Sequence, residues 1–435
     1  MRRKTLVILA AAAVLAAVLV VGVVTAAAKG PSTLPPIGVA QLLRNVATKA
    51  HGTTAVSGDV AWSNDLLGSA SSLLSLGNAT PTGLSSLLAG GSGRVWVQDG
   101  KLRLEQQGQN GDFVVVASGS TAWTWDSMTS TATRYTLPAA RRITPGASAR
   151  SAASAPAASL DPTAAIGALI AHLAPTAKLS VAGQTTVGGR PAYTLKLTPT
   201  SPVTSVGSVT VAIDGRRWLP LRVQVFARSD GTPILSAGFT SVSFHRLSNS
   251  LFTFTPPAGS KVVHKTLSAP SLSAGAAGLA PRRAGTKHTV APLSLAQARA
   301  RAPYLLAPSS TPAGVSFRGA FVTPASVKAA SGLSAAQRAA AAALVGHRGA
   351  LLVYGKGLGT VLVVEAKTTA VQDAQIQRQL GRLAVLGGTQ VNGAPATRLQ
   401  TALGSAVTFR QGDVRVVVVG LVAWSDVAQI ADSLH

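Results

Sequence analysis

The chain has 435 residues and a mass of 43.8 kDa, enough for two folded units with a core each. Its 39 Lys and Arg against 14 Asp and Glu give a formal charge of +25, yet only 12% of residues are charged, 47% are hydrophobic and 4% aromatic. The basicity comes from a shortage of acids, and the Lys/Arg clusters interleaved with aromatics of a nucleic-acid binder are missing. So thin a cationic excess suits an exported protein beside anionic head groups or wall polymers. With no cysteine, disulfides, Cys-ligated zinc, Cys nucleophiles and a lipidated N-terminal Cys are excluded.

In residues 1–29, Arg2, Arg3 and Lys4 precede an uncharged run over 5–28. About 20 apolar residues cross a bilayer, whereas a cleavable signal has an apolar stretch of roughly 7 to 15. The length predicts a signal anchor, single-pass in the cytoplasmic membrane, with the basic N-terminus inside and the bulk of the chain extracytoplasmic. The alternative is a signal peptide cut after Ala26-Ala27-Ala28 and a secreted protein.

After Pro35 and Pro36, Val39, Leu42, Leu43 and Val46 mark an amphipathic helix over 37–50. Residues 54–62 read as a strand. The uncharged segment after Asp65, to residue 93, repeats an SSLL unit and reads as short helices or a loop folded on a sheet, or as a hydrophobic lid. Asp99-Gly100 joins two strands, 94–98 and 101–105, as a hairpin. Strands follow over 113–117 and 120–127, the latter with Trp123 and Trp125 on one side. Residues 139–159 are low-complexity, and Asp161-Pro162 opens a helix toward Leu173 as N-cap and first position.

Residues 188–227 hold three alternating runs. Tyr193, Leu195 and Leu197 share a face, as do Val209, Val211 and Ile213, and Leu221, Val223 and Val225 against Arg222 and Gln224. Asp214-Gly215 is the expected turn between the second and third. The result is a sheet with one apolar face that must be covered by the chain's own helices or by a lipid. Further strands are expected over 239–244 and around Phe252-Thr253-Phe254.

The order of these parts resembles the LolA-like lipoprotein-carrier superfamily, including the RseB-type regulators of envelope-stress sigma factors, in its actinobacterial membrane-anchored form. The residues that carry the resemblance are Arg94-Val95-Trp96 with Asp99-Gly100, Trp123-Thr124-Trp125-Asp126-Ser127, Gly189-Arg190-Pro191-Ala192-Tyr193-Thr194-Leu195, Leu219-Pro220-Leu221-Arg222-Val223, and Phe252-Thr253-Phe254 before Pro256-Pro257. The resemblance implies an incomplete antiparallel β-barrel over 37–264, covered by helices, whose apolar face receives acyl chains. The family's carriers are free and soluble, so a tethered chain departs from them.

Residues 265–293 read as a linker and 294–435 as a small α+β domain. Expected there are a strand at 315–322, a helix at 334–345 opened by a capping box at Ser334, paired strands 351–354 and 360–366, a helix at 371–386, strands at 396–399, 406–410 and 414–419, and a closing helix at 425–434. The fold class is therefore α+β throughout: membrane helix, half-barrel, small C-terminal domain.

Chemistry is sparse. Gly355-Lys356-Gly357-Leu358-Gly359 leads into a strand, so it is a turn and not a phosphate loop. The seven histidines stand singly, and the only glutamates are Glu105 and Glu365; no metal site, cofactor, nucleophile elbow or catalytic residue is proposed. The function expected is a non-catalytic binding protein for an acyl chain or a lipidated protein, lined by Trp123, Trp125, Tyr193, Leu195, Leu197, Val209, Val211, Ile213, Leu221, Val223 and Val225. At about 0.8 kcal/mol per methylene, a chain of about 16 carbons contributes on the order of 10 kcal/mol. The alternatives are an envelope-stress sensor or anti-sigma-type interaction protein with a filled cleft and a regulatory partner, and a wall-polymer adhesin.

Overall fold

A computed structural model describes residues 34–49, 55–66, 90–108, 111–136, 174–266, 292–322, 349–381 and 386–435. The anchor over 1–29, most of the leucine-rich segment, the low-complexity stretch, the helix from Asp161, most of the linker and the helix from Ser334 lie outside the described residues. Among the described residues no helix is long and apolar enough to cross a membrane.

After helix α1 (Val39–Lys49) come twelve strands: β1 (Ala55–Asn64), β2 (Gly91–Gln98), β3 (Lys101–Gly108), β4 (Gly111–Ser118), β5 (Thr121–Asp126), β6 (Thr131–Thr136), β7 (Ala177–Val187), β8 (Arg190–Pro199), β9 (Val206–Asp214), β10 (Pro220–Ala227), β11 (Pro233–Phe239) and β12 (Lys261–Thr266). They form one open sheet in the order β12-β6-β5-β4-β3-β2-β1-β11-β10-β9-β8-β7. The alternating runs at 94–127 and 188–227 are strands as expected, and Asp99 (φ 51°) with Gly100 (φ 73°) forms the left-handed turn between β2 and β3.

The expected antiparallel order is broken once, because β12 runs parallel to β6. Between β11 and β12 the chain crosses the outside of the sheet to reach its far edge. The strand expected at 239–244 is kept in part: Phe239 ends β11, Thr240 and Ser241 both donate to Asp59 O, and Ser243 pairs with Ser57 of β1 at 2.7 and 2.9 Å. From Phe244 to residue 260 the chain makes the crossing as an irregular strap, and in place of the strand expected around Phe252 it forms a short turn over Asn249–Phe252. The Gln98 side chain accepts from Leu247 N and donates to its carbonyl at 2.7 and 3.2 Å, Arg103 donates to Leu251 O at 3.0 Å, and the Phe254 ring meets Trp123 at 5.5 Å, tilted by 45°.

The turn between β9 and β10 also differs from expectation. Gly215 is not left-handed; Trp218 is, at φ 62°. The Asp214 carboxylate accepts from the N–H groups of Arg216 and Arg217 at 2.8 and 2.5 Å, as a helix cap would, and winds residues 215–218 into one turn closed by Trp218 N on Asp214 O at 3.0 Å. Gly215 is glycine for a different reason: a β-carbon there would overlap the Leu34 side chain.

A second sheet holds β13 (Phe317–Val322), β14 (Gly349–Tyr354), β15 (Val361–Lys367), β16 (Gly387–Val391), β17 (Ala394–Gln400), β18 (Ser405–Gln411) and β19 (Val414–Gly420), in the order β13-β14-β15-β19-β18-β17-β16. Helices α2 (Leu295–Arg301) and α4 (Trp424–Asp432) place Ala298, Val427, Ile430 and Ala431 in one core with Leu352, Val363, Phe409, Val416 and Val418. Helix α3 (Ala370–Leu380) is joined to the opposite face by the Asp373–Arg415 ion pair. It stops at Leu380, short of the expected residue 386, and Gly387–Val391 is a strand that the sequence reading did not include. A capping box does open this unit, at Ser294 and Gln297.

Candidate functional site

Residues opposite one another in an antiparallel pair share a face, so the register traces each face across the sheet. Leu195 and Leu197 oppose Val211 and Val209, which oppose Val223 and Val225, which oppose Ala237 and Leu235. Ala237 opposes Trp62. On β1 the same face carries Val56 and Val60, and the register passes it to Val95 and Val97, then Leu104 and Leu102, then Val115 and Ala117. One apolar face thus runs from β8 to β4.

Eight of the eleven predicted lining residues lie together on that face: Tyr193, Leu195, Leu197, Val209, Val211, Ile213, Val223 and Val225. Seven are no more than 7% exposed and Val225 is half-buried. They are covered by the protein itself. Leu42 of α1 is buried among them, flanked by Val39, Leu43 and Val46, and Leu34, Ile37, Leu358, Ala402, Leu403 and Leu421 also join the cluster. Tyr193 is a clasp as much as a wall: its hydroxyl donates to Pro35 O at 2.8 Å, its ring stacks on Trp218 at 6.0 Å, and burial raises its pKa.

The other three lie elsewhere. A bulge between Pro220 and Arg222 turns Leu221 out of the alternation, and it packs with Val187, Ala192 and Ala212 in a separate cluster. Trp123 and Trp125 share a face as expected, but it is the opposite one: they oppose Val116 and Val114, which oppose Arg103 and Glu105. The Trp123 ring sits between Phe254 of the strap and Arg134, whose guanidinium carbon is 5.9 Å from the ring. Period-two alternation within one strand cannot say which of two faces is shared with a distant strand.

Sequence reasoning passed over the other half of the apolar face. Val60, Val95, Leu102, Leu104 and Ala117 form a cluster with Trp62, Val97, Val115, Ala122 and Phe239. Every member belongs to the sheet; no described residue of α1 or of the second unit joins it. The Trp62 indole N–H is buried and has no acceptor among the described residues. The alternation of β2 and β3 was the available signal.

The two units meet over the filled half. Thr204 bridges Val422, Ser205 N and the Thr204 hydroxyl both donate to Leu421 O at 2.9 Å, and Val203 packs on the second core. The glycines of the 355–359 turn serve this contact: a β-carbon on Gly357 would press on Thr176 at 2.6 Å, and one on Gly359 would overlap Ser201. A cleft of about 780 Å³ lies beside the contact, lined by Thr204, Arg228, Gln400, Trp424 and Asp426 among others. The Arg228 guanidinium is already engaged, donating to Thr204 O and Ser201 O at 2.9 and 3.0 Å.

Two buried acids stand apart. Burial pushes the Glu365 carboxyl up to about 8, against the pull of the Leu306 N–H and the Arg299 charge; Oε2 accepts from Leu306 N at 2.9 Å and Oε1 has no partner among the described residues. Burial also pushes Asp214 up, but the hydrogen bond from Arg190, the N–H groups of Arg217 and Arg216 and the Arg190 charge together hold it below the ordinary value. Among the described residues no three His, Asp or Glu side chains gather as a metal site.

The fold and site define an open β-sheet with an apolar face, partly roofed by a helix and joined to a second sheet unit. No protein-family model and no curated protein matches the chain. Among solved structures, the Pseudomonas aeruginosa MucA/MucB complex is similar to it at 16% identity, with 90% of this chain and 97% of that one covered and a TM-score of 0.41. MucB in complex with the periplasmic part of MucA gives 15%, 91%, 98% and 0.38. The LolA-superfamily protein NE2245 from Nitrosomonas europaea gives 11%, 50%, 99% and 0.20.

Proposed function

We infer that the protein is a non-catalytic, extracytoplasmic binding protein, tethered to the cytoplasmic membrane by its N-terminal segment, that takes an acyl chain or lipidated ligand on the apolar face of β1–β4. One observation carries the reading: a single apolar face is roofed by α1 and the second unit over β8–β10, while over β1–β4 no described residue of either packs on it. A linear chain laid along the half-buried Val97 and Val115 would replace water on apolar surface without opening the roofed half, whereas Val95, Leu102, Leu104 and Ala117 beside them are already buried.

The test is native mass spectrometry of the protein isolated from a membrane-containing host, followed by lipid extraction. A bound lipid that disappears in Val115→Lys supports the reading. A ligand-free mass that takes up no added fatty acid or lysophospholipid sinks it.

A second reading, a sensor or regulatory interaction protein, is favoured by the filled β8–β10 half. There Leu42 and Leu403 occupy the position a ligand would need. Competitive loss of Leu403 burial on partner addition, followed by hydrogen exchange, would separate the two.

A further inference from the structure

We propose that the surface around the β9–β10 turn, made by Arg216, Arg217, Trp218 and Lys49, seats on the anionic head groups of the membrane. The inference rests on the anchor reading given under Proposed function and adds a fixed orientation to it.

The first support is chain length. Five residue steps separate Lys29, where the apolar run ends, from Leu34, and at 3.3–3.6 Å each they span no more than about 18 Å. Leu34 is then held in place. Its N–H donates to Gln184 Oε1 at 3.3 Å, its carbonyl accepts from Gln184 Nε2 at 2.7 Å, and Pro35 O accepts from Tyr193. Its side chain lies against Gly215, where a β-carbon would press on the Leu34 methyl groups. Leu34 is therefore held within about 18 Å of the end of the apolar run, and the residues that touch it within a contact distance more.

The second support is charge. Arg216 and Arg217 follow Gly215 directly and are exposed. Lys49, also exposed, sits over the Trp218 ring at 5.4 Å. The acid of this turn, Asp214, is buried and committed to Arg190 and two backbone N–H groups. The sequence holds no Asp or Glu before Asp59 and none between Asp214 and Asp230. The half-buried Trp218, with an apolar ring below a cation, is the side chain that favours a head-group layer.

The chain has no cysteine, so Thr48→Cys carries a unique fluorophore beside Lys49. The full chain is placed in phosphatidylcholine vesicles, with and without phosphatidylglycerol, and energy transfer to a head-group-labelled lipid is read. A second label at Ser120, in the β4–β5 turn, serves as the distant reference. Transfer from position 48 rises when the anionic lipid is present and falls at high salt. Arg216→Glu and the milder Arg216→Gln each weaken docking, by about fivefold per cation removed. Transfer that is equal in both vesicle types, or unmoved by both substitutions, overturns the docking while leaving the anchor standing. A chain that fails to float with either vesicle overturns the anchor and the docking with it.

Discussion

Val203 and Leu403 are exchanged between the two cores. Val203, on the β8–β9 connection of the first sheet, packs on the core of the second, while Leu403, on the β17–β18 turn of the second, is buried in the first. Neither core is complete until the units have docked, so docking and folding are coupled.

Leu403→Asp therefore splits one thermal unfolding transition into two in differential scanning calorimetry. Leu403→Ala costs about 2–5 kcal/mol, in the range of buried leucine truncations. Gly359→Val, whose β-carbon would overlap Ser201 and press on Val203 at the contact between the units, also gives two transitions. A single transition in all three variants would show that the units do not depend on one another.

Glu365 makes the second unit less stable toward alkaline pH. Its folded value of about 8 lies above the ordinary 4.5, so the folded state retains a proton that the unfolded chain releases. The stability is full below about 4.5, falls as pH rises and levels off above about 8. Glu365→Gln keeps an acceptor for Leu306 N–H, flattens that slope and raises stability at pH 8 by about 2–4 kcal/mol. Urea titrations across pH read both effects.

Asp214 works in the opposite direction. Its folded value is depressed below 3.8, so the stability it contributes is present above that pH and is lost as pH falls through the folded value. Asp214→Ala removes the Arg190 pair and uncaps the 215–218 turn, costing about 2–4 kcal/mol. Asp214→Asn retains an acceptor for the turn and loses mainly the acid-side slope, measured by acid titration of circular dichroism.

Opposite faces of one sheet predict opposite results for ligand capture. Val115→Lys abolishes it, whereas Trp125→Ala, on the outer face, leaves it unchanged within a factor of two or so. Quenching of tryptophan by a brominated fatty acid gives the same contrast: Trp62→Phe removes the quenchable signal and Trp125→Phe does not.

The strands from Arg94 to Asp126 and from Arg190 to Ala227 were legible because alternation and turn residues are local signals. The helix carrying Leu42 was legible for the same reason. What escaped was decided by partners distant in sequence. Trp123 and Trp125 were assigned to the apolar face because their strand alternates, but only the register through Val116 and Arg103 places them opposite to it. Leu221 fits the alternation by eye, and a single bulge removes it. Gly215 looked like a turn glycine, whereas what it adjoins is the Leu34 side chain. The glycines of 355–359 were rightly read as a turn, but their contact with Thr176 and Ser201 needed the second sheet in place.

The strap ends in β12, on the sheet edge farthest from β7, yet the second unit docks against the β8–β9 side. Residues 267–291 join those two places. Undocking at the Val203–Leu403 contact would leave the two units covalently joined, so redocking would draw on an effective concentration set by the chain between them. Redocking is then a first-order event whose rate is independent of protein concentration. A protease that cuts the connection would convert it into an ordinary encounter between two separate molecules, and a reversible contact into one that dilution can dissolve.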